Sequence, residues 1–332
     1  APNVHNIAID GSFDDAQAMV KRIFADRDVT AKHRIGAVNS INWARLMAQV
    51  VYYFAASLQL GGPEREVAFS VPTGNFGDVF AGHVAERIGL PIKRLIVATN
   101  TNDILYRALS NGDYSTGTVT PTAAPSMDIQ VSSNFERLLF DVGGRDGIAL
   151  AEQMRGFEAS KAMQLTNAQR DGAAALFTSM RADEDDMARA MRWACEDCAE
   201  IVDPHTAIGL HAARAVELPH DVPVVTLATA HPAKFPDAVA EALGIEVGAP
   251  TVRLDRLRLG ETLDGHVGPR QRAALGGCHE PSHRLPERRR RADDDRVALD
   301  GDALQLRDLG EVDHVGRGGE ALLHGGDQRL PA

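Results

Sequence analysis

Apolar positions along the first part of the chain follow two rhythms, one of period two and one close to 3.6. Asn6 to Asp10 alternates and carries β-branched residues, which predicts a short strand. Ser12 stands at a helix N-cap position with Asp14 and Asp15 in the first turn. Ala16, Met19, Val20, Ile23 and Phe24 then recur at helical spacing. Ile41 to Leu60 predicts a second, more buried helix. Glu66 to Val71 reads as a strand, Asp78 to Ile88 as a helix and Arg94 to Thr99 as a strand. That order predicts a βαβ unit with parallel strands and a right-handed crossover. From about Asn134 to Leu218 the pattern turns almost wholly helical, with stripes such as Phe135, Leu138, Leu139 and Met180, Met187, Met191 that read as core packing. Val222 to Ala228 returns to an apolar strand, followed by a helix from Ala233 to Leu243. The expectation is an α/β fold with a parallel sheet and a helical insertion at about 134–218. No internal repeat is visible.

The pattern stops near residue 250. Residues 251–332 contain no Lys, Asn, Ile, Met, Phe, Tyr or Trp, and carry 14 Arg against 15 Asp plus Glu. A segment so poor in large apolar side chains cannot bury enough surface to offset the entropy of ordering it. Two readings stand open: a natural disordered extension, or a low-complexity stretch translated in the wrong frame from GC-rich DNA. The second accounts for one detail, since six of the missing types are those whose codons all begin with two A or T bases. The Arg288 to Arg291 run is followed at once by Asp293, Asp294 and Asp295, which cancels it as a nucleic-acid patch.

Composition narrows the function classes without choosing one. The 332 residues are 44% hydrophobic and 24% charged, an ordinary globular balance with material for a sizeable core. A formal charge of −11 argues against a nucleic-acid partner. The longest apolar stretch, Leu46 to Leu60, is too short and too interrupted to span a bilayer, so no membrane role is expected. Three cysteines suggest no disulfide framework and point to a reducing, cytoplasmic setting. Cys195-x-x-Cys198 has no second pair to complete a zinc site, so no metal is expected.

The chemistry concentrates where the first strand meets its helix, in Val71-Pro72-Thr73-Gly74-Asn75-Phe76-Gly77-Asp78. Two glycines there allow a tight turn and close approach to a ligand. The amides of the following helix, aided by its dipole, suit a phosphate. Asn75 adds a side-chain donor, and Asp78 opens the helix. Taken alone, this spacing reads sooner as a tight βα turn that needs glycine for packing. It is neither a Walker A loop nor a dinucleotide fingerprint.

Longer segments supply the context. Asn39-Ser40-Ile41-Asn42-Trp43-Ala44-Arg45, Val71 to Gly82, Asn100 to Ile104, Pro125 to Arg137, Asp203-Pro204-His205-Thr206-Ala207 and Thr226 to Phe235 resemble threonine synthases in order and spacing. The resemblance covers about residues 4–245. It implies the tryptophan synthase β-like fold that binds pyridoxal 5′-phosphate (PLP), with an incomplete N-terminal region. In domain terms it implies a remnant of a smaller αβ domain over 1–38 and a PLP-binding domain over 39–250. It also implies conversion of O-phospho-L-homoserine and water to L-threonine and phosphate, with the cofactor as electron sink. By analogy, Gly74, Asn75, Phe76, Gly77 and Asp78 hold the PLP phosphate, and Thr229 places a neutral hydroxyl near the pyridine nitrogen. An ordinary strand residue is the other reading of Thr229. Asn39, Ser40, Asn42 and Arg45 open a helix that faces the cleft and are candidate substrate ligands. For Ser40 a helix-capping role stands beside that one. Lys234 is either a substrate-phosphate partner or an exposed helix residue, and His205 and His231 read as structural.

One departure from the family bears on chemistry. The family's Schiff-base lysine belongs to an upstream motif ending Phe-Lys-Asp, and none of Lys21, Lys32, Lys93, Lys161 and Lys234 has those surroundings. The expectation is a threonine synthase-like fragment with no catalytic lysine of its own, inactive as it stands. Two alternatives remain: a non-catalytic PLP- or phosphate-binding remnant, and a serine/threonine dehydratase-like PLP enzyme. Oligomeric state is not legible.

Overall fold

The computed structural model describes residues 5, 7, 9, 10, 13–33, 35, 36, 39–245 and 296–300. Helices α1 (Phe13–Ala25), α2 (Arg27–Lys32) and α3 (Trp43–Gln59) precede the sheet. Strand β1 (Val67–Pro72), helix α4 (Gly77–Ile88) and strand β2 (Ile92–Thr99) then form the expected parallel βαβ unit. Helices α5 (Ile104–Asn111), α6 (Phe135–Val142), α7 (Gly147–Ser160) and α8 (Asn167–Ala174) lead to strand β3 (Phe177–Arg181). Helices α9 (Glu184–Cys198) and α10 (Pro204–Ala215), strand β4 (Val224–Ala228) and helix α11 (Pro236–Leu243) follow. Strand β5 (Arg296–Asp300) pairs with β4. All pairings are parallel, in the order β3-β2-β1-β4-β5.

Strand alternation sorts the core onto two faces. Val67, Phe69 and Val71 of β1 join Leu95 and Val97 of β2, packed with Leu46, Tyr53, Val79 and Leu138. Ala68, Ile96 and Ala98 turn the other way, against Met187, Met191, Ile208 and Leu210 of α9 and α10. Because both faces are covered, every residue of β1 is buried. Helix α10 lies unusually close to the sheet. A Cβ added to Gly209 would sit 2.9 Å from Thr226 Cγ2 and 3.0 Å from Pro72 Cγ. The Gly209 carbonyl also accepts a hydrogen bond from the buried Ser70 hydroxyl at 2.7 Å.

The elements differ from the sequence expectations in four places. Ile7, Ile9 and Asp10 carry no strand, and Ile7 is 83% exposed: its alternation finds no neighbouring strand to pair with among the described residues. Helix α3 is half-buried, since Leu46, Tyr53 and Ala56 face the core while Trp43, Met47 and Val51 face outward. The insertion is not wholly helical. Phe177 to Arg181 forms strand β3 beside β2, so Met180 belongs to a strand, whereas Met187 and Met191 are buried in α9. The last helix is split into a 3-10 turn (Pro232–Lys234) and α11, because Pro236 begins a new helix. Ser12 and the tail lie outside the described residues, Arg296–Asp300 excepted.

Candidate functional site

The C-terminal ends of parallel strands are where open α/β sheets bind ligands. In this chain the loop after β1, the polar turn after β2 and the segment after β4 meet at that edge.

The β1–α4 loop is shaped by close packing. A Cβ on Gly74 would lie 2.6 Å from the Ser126 carbonyl oxygen, so only glycine fits without displacing backbone. Phe76 takes a left-handed conformation (φ 62°), costly for a non-glycine residue. Its buried ring is fixed between Phe135 at 5.3 Å and Phe177 at 5.6 Å, centroid to centroid. No side chain caps α4, which leaves its first-turn amides as donors at the helix's positive end.

A second segment, 132–134, clasps this loop. The Ser132 hydroxyl donates to the Gly74 carbonyl at 2.9 Å. Asn134 donates to the Asn75 carbonyl through its backbone N–H at 3.1 Å and its side-chain amide at 2.9 Å. The amide oxygen of Asn75 accepts from the Ser133 hydroxyl at 3.0 Å and from its N–H at 3.3 Å, leaving the NH2 as the donor end of that side chain. Asn134 is fully buried, and its Oδ1 has no hydrogen-bond partner among the described residues. The clasp is anchored in turn by Asp128. That carboxylate accepts from Asn100 at 2.7 Å, Asn102 at 2.9 Å and the Thr122 hydroxyl at 2.7 Å, tying the turn after β2 to the segment leading to Ser132.

Asp78, in the first turn of α4, accepts the Tyr53 hydroxyl at its backbone carbonyl (2.9 Å) and more loosely at Oδ1 (3.4 Å). Burial pushes its carboxyl up to about 6; the Tyr53 hydrogen bond and the Arg45 charge oppose the shift.

The remaining candidates divide. Ser40 lies against the loop: its Cβ is 3.4 Å from where a Gly77 Cβ would stand, and its carbonyl accepts from Asn134 at 3.0 Å. The cap of α3 is Asn42, whose side chain accepts the Ala44 N–H at 3.0 Å, so the role considered for Ser40 falls to its neighbour. Asn39 accepts the Ile41 N–H at 3.3 Å and shapes the same turn. Arg45 is exposed and acts on the loop through its charge at Asp78. Thr229 follows β4, exposed, with its N–H held by the Thr206 hydroxyl at 3.3 Å. Lys234 is exposed in the 3-10 turn. Of the other lysines, Lys93 pairs with Glu66 at 3.1 Å beside the opposite ends of the strands, and Lys21, Lys32 and Lys161 are exposed on α1, α2 and the end of α7. The described residues contain no cluster able to hold a metal and no helix long and apolar enough to cross a membrane. The sequence reading singled out the loop but not Ser132, Ser133 and Asn134; the signal was the Ser-Ser-Asn triplet within the 125–137 motif, whose contact with the loop spans 58 or more residues.

Comparisons with known proteins match the chain to threonine synthases. A family model described as threonine synthase, C-terminal, matches residues 206–265, continuing past the composition change at 250. The threonine synthase of Pseudomonas aeruginosa is 54% identical over 240 residues, which is 72% of this chain and 51% of that protein. A PLP-bound threonine synthase structure from Brucella melitensis superposes with a TM-score of 0.70 at 49% identity, covering 75% of this chain and 53% of that one. Yeast threonine synthase gives 0.66 at 33% identity over 90% of this chain and 57% of its own. The chain therefore spans about half the length of the relatives it matches.

Proposed function

The chain belongs to the threonine synthase family, and from that premise we propose that its β1–α4 junction holds the phosphate of PLP for conversion of O-phospho-L-homoserine and water to L-threonine and phosphate. The observation that carries this reading is the loop itself. Gly74 is pressed against the Ser126 carbonyl, Phe76 is locked in a left-handed turn, and the amides of α4 stand uncapped beside them. These features suit an oxyanion.

When bound, PLP supplies an electron sink for breaking bonds next to an amino group. The chain's own residues do the rest. Gly74, Gly77 and the first-turn amides of α4 receive the phosphate, with the Asn75 amide as a further donor. Asp78 at the loop's edge, with its pKa raised to about 6, sheds its negative charge more readily than an ordinary carboxylate, which eases an anion nearby. Thr229 offers a neutral hydroxyl to the pyridine end. Arg45 and Lys234, both exposed cations, draw the phosphorylated substrate, and Asn39, Ser40 and Asn42 form the adjoining rim. None of the five lysines is given the Schiff-base role, so the cofactor is held without a covalent bond to this chain.

The test is a titration of the purified chain with PLP, followed by absorbance and repeated after borohydride. Saturable binding that inorganic phosphate competes away, with no label left on the protein after reduction, is expected. Gly74→Ala should weaken PLP at least about tenfold, or about 1.4 kcal/mol, because its Cβ must push back the Ser126 carbonyl. Unsaturable binding, or affinity indifferent to Gly74→Ala, would remove the site. A lysine labelled by reduction would overturn the non-covalent part.

A further inference from the structure

Asp203 caps α10 and is fully buried, but its hydrogen bonds exceed what a cap requires. Capping needs only backbone amides as donors, and Asp203 accepts those of His205 at 2.9 Å and Thr206 at 3.4 Å. In addition, each oxygen takes one side chain. Oδ1 faces His205 Nδ1 at 2.8 Å, and Oδ2 accepts the Thr206 hydroxyl in a short bond.

Each of those side chains reaches onward. His205 Nε2 accepts the Ser126 N–H at 3.2 Å, which requires the ring proton to sit on Nδ1 and be donated to Asp203. The Phe235 ring, 4.8 Å away, packs on the same imidazole. Ser126 is the residue whose carbonyl oxygen forms the wall against Gly74. On the other branch, the Thr206 hydroxyl accepts the Thr229 N–H at 3.3 Å. One carboxylate thus fixes a residue behind the phosphate loop through His205, and the residue after β4 through Thr206.

We propose that Asp203 is a positioning residue that holds the two ends of the site in register, the phosphate end by way of His205 and Ser126 and the ring end by way of Thr206 and Thr229. The proposal rests on the reading of this edge as a PLP site, and its test separates the two.

The linkage is read without ligand, by amide hydrogen exchange at Ser126 and Thr229. His205→Phe keeps the packing on Phe235 and removes both ring nitrogens; it should speed exchange at Ser126 by about tenfold and leave Thr229 unchanged. Thr206→Val, close to isosteric, should do the reverse. Asp203→Asn should speed both. His205→Gln keeps an acceptor for Ser126 but no donor toward Asp203, so it should also speed exchange at Ser126; protection kept there would show that Asp203 is not needed. In ligand titrations His205→Phe should weaken PLP and inorganic phosphate by the same factor, whereas Thr206→Val should weaken PLP alone. Exchange that rises at both amides in either single variant, or at neither, overturns the proposal and leaves Asp203 a helix cap. If Asp203→Asn does not fold, the two single variants decide the matter. A wild-type chain that binds no PLP while the two amides still respond separately supports the linkage and sinks the cofactor site.

Discussion

Asp78 carries its carboxyl in the first turn of α4, where the helix dipole favours negative charge, yet burial dominates and raises its pKa from 3.8 to about 6. The folded state consequently holds a proton that the unfolded chain has released throughout the window between those values. More protons are bound in the folded state, so stability falls as pH rises through that window and levels off above it. Asp78→Asn should cancel this fall. Measured as the difference in thermal midpoint between variant and wild type, its relative gain should grow from pH 4 to pH 7 and then stay constant. A difference independent of pH would mean that Asp78 titrates as an ordinary surface carboxylate. Removing Arg45, which opposes the upward shift, should extend the upper end of the window to higher pH, seen in the same measurement on Arg45→Ala.

Helix α3 tests how an element divides its apolar residues. Leu46 is buried in the core, while Val51, on the opposite face, is 58% exposed. Leu46→Ala should cost about 2–5 kcal/mol through lost contacts and a cavity. Val51→Ser should stay within about 0.5 kcal/mol, as surface changes do. Urea midpoints of the two variants check the contrast, and equal losses would show that the outward face is covered. This division also marks how far elements were legible. The period of 3.6 located α3, but not which part of its broad apolar surface faces the core, because Trp43, Met47 and Val51 are as apolar as Leu46 and Tyr53. The βαβ unit was read nearly to its ends, since β1 is apolar but for Ser70, β2 is apolar from Leu95 to Ala98, and Gly74, Gly89 and Pro91 punctuate the connections. Strand β3 was not, because Phe177-Thr178-Ser179-Met180-Arg181 is short, half-polar and set among helices, and only pairing with β2 makes it a strand. At the site, Gly74 to Asp78 were legible as a local motif. The clasp by 132–134 and the link from Asp203 to Ser126 join residues far apart in sequence, and no periodicity encodes such contacts.

Across the whole molecule, the site depends on how tightly α10 is seated on the sheet. That helix carries His205 and Thr206 at its start and Gly209 one turn later, where its backbone meets β1 and β4. A methyl group at Gly209 must displace Thr226 Cγ2 or the Pro72 ring, both buried. The helix would then lift from the sheet and take His205 and Thr206 with it. Gly209→Ala should therefore cost about 1–3 kcal/mol of stability. It should also weaken PLP binding, although residue 209 lies outside every group proposed to hold the cofactor. Gly156 in α7 is the control: a Cβ there meets nothing within 4 Å, and the helix gains the better propensity of alanine. Gly156→Ala should raise stability by up to about 1 kcal/mol and leave PLP binding alone. The pair is decided by denaturant midpoints and PLP titration together. Loss of stability in Gly209→Ala with unchanged affinity would show that the two ends of the site are held independently of the helix's seat on the sheet.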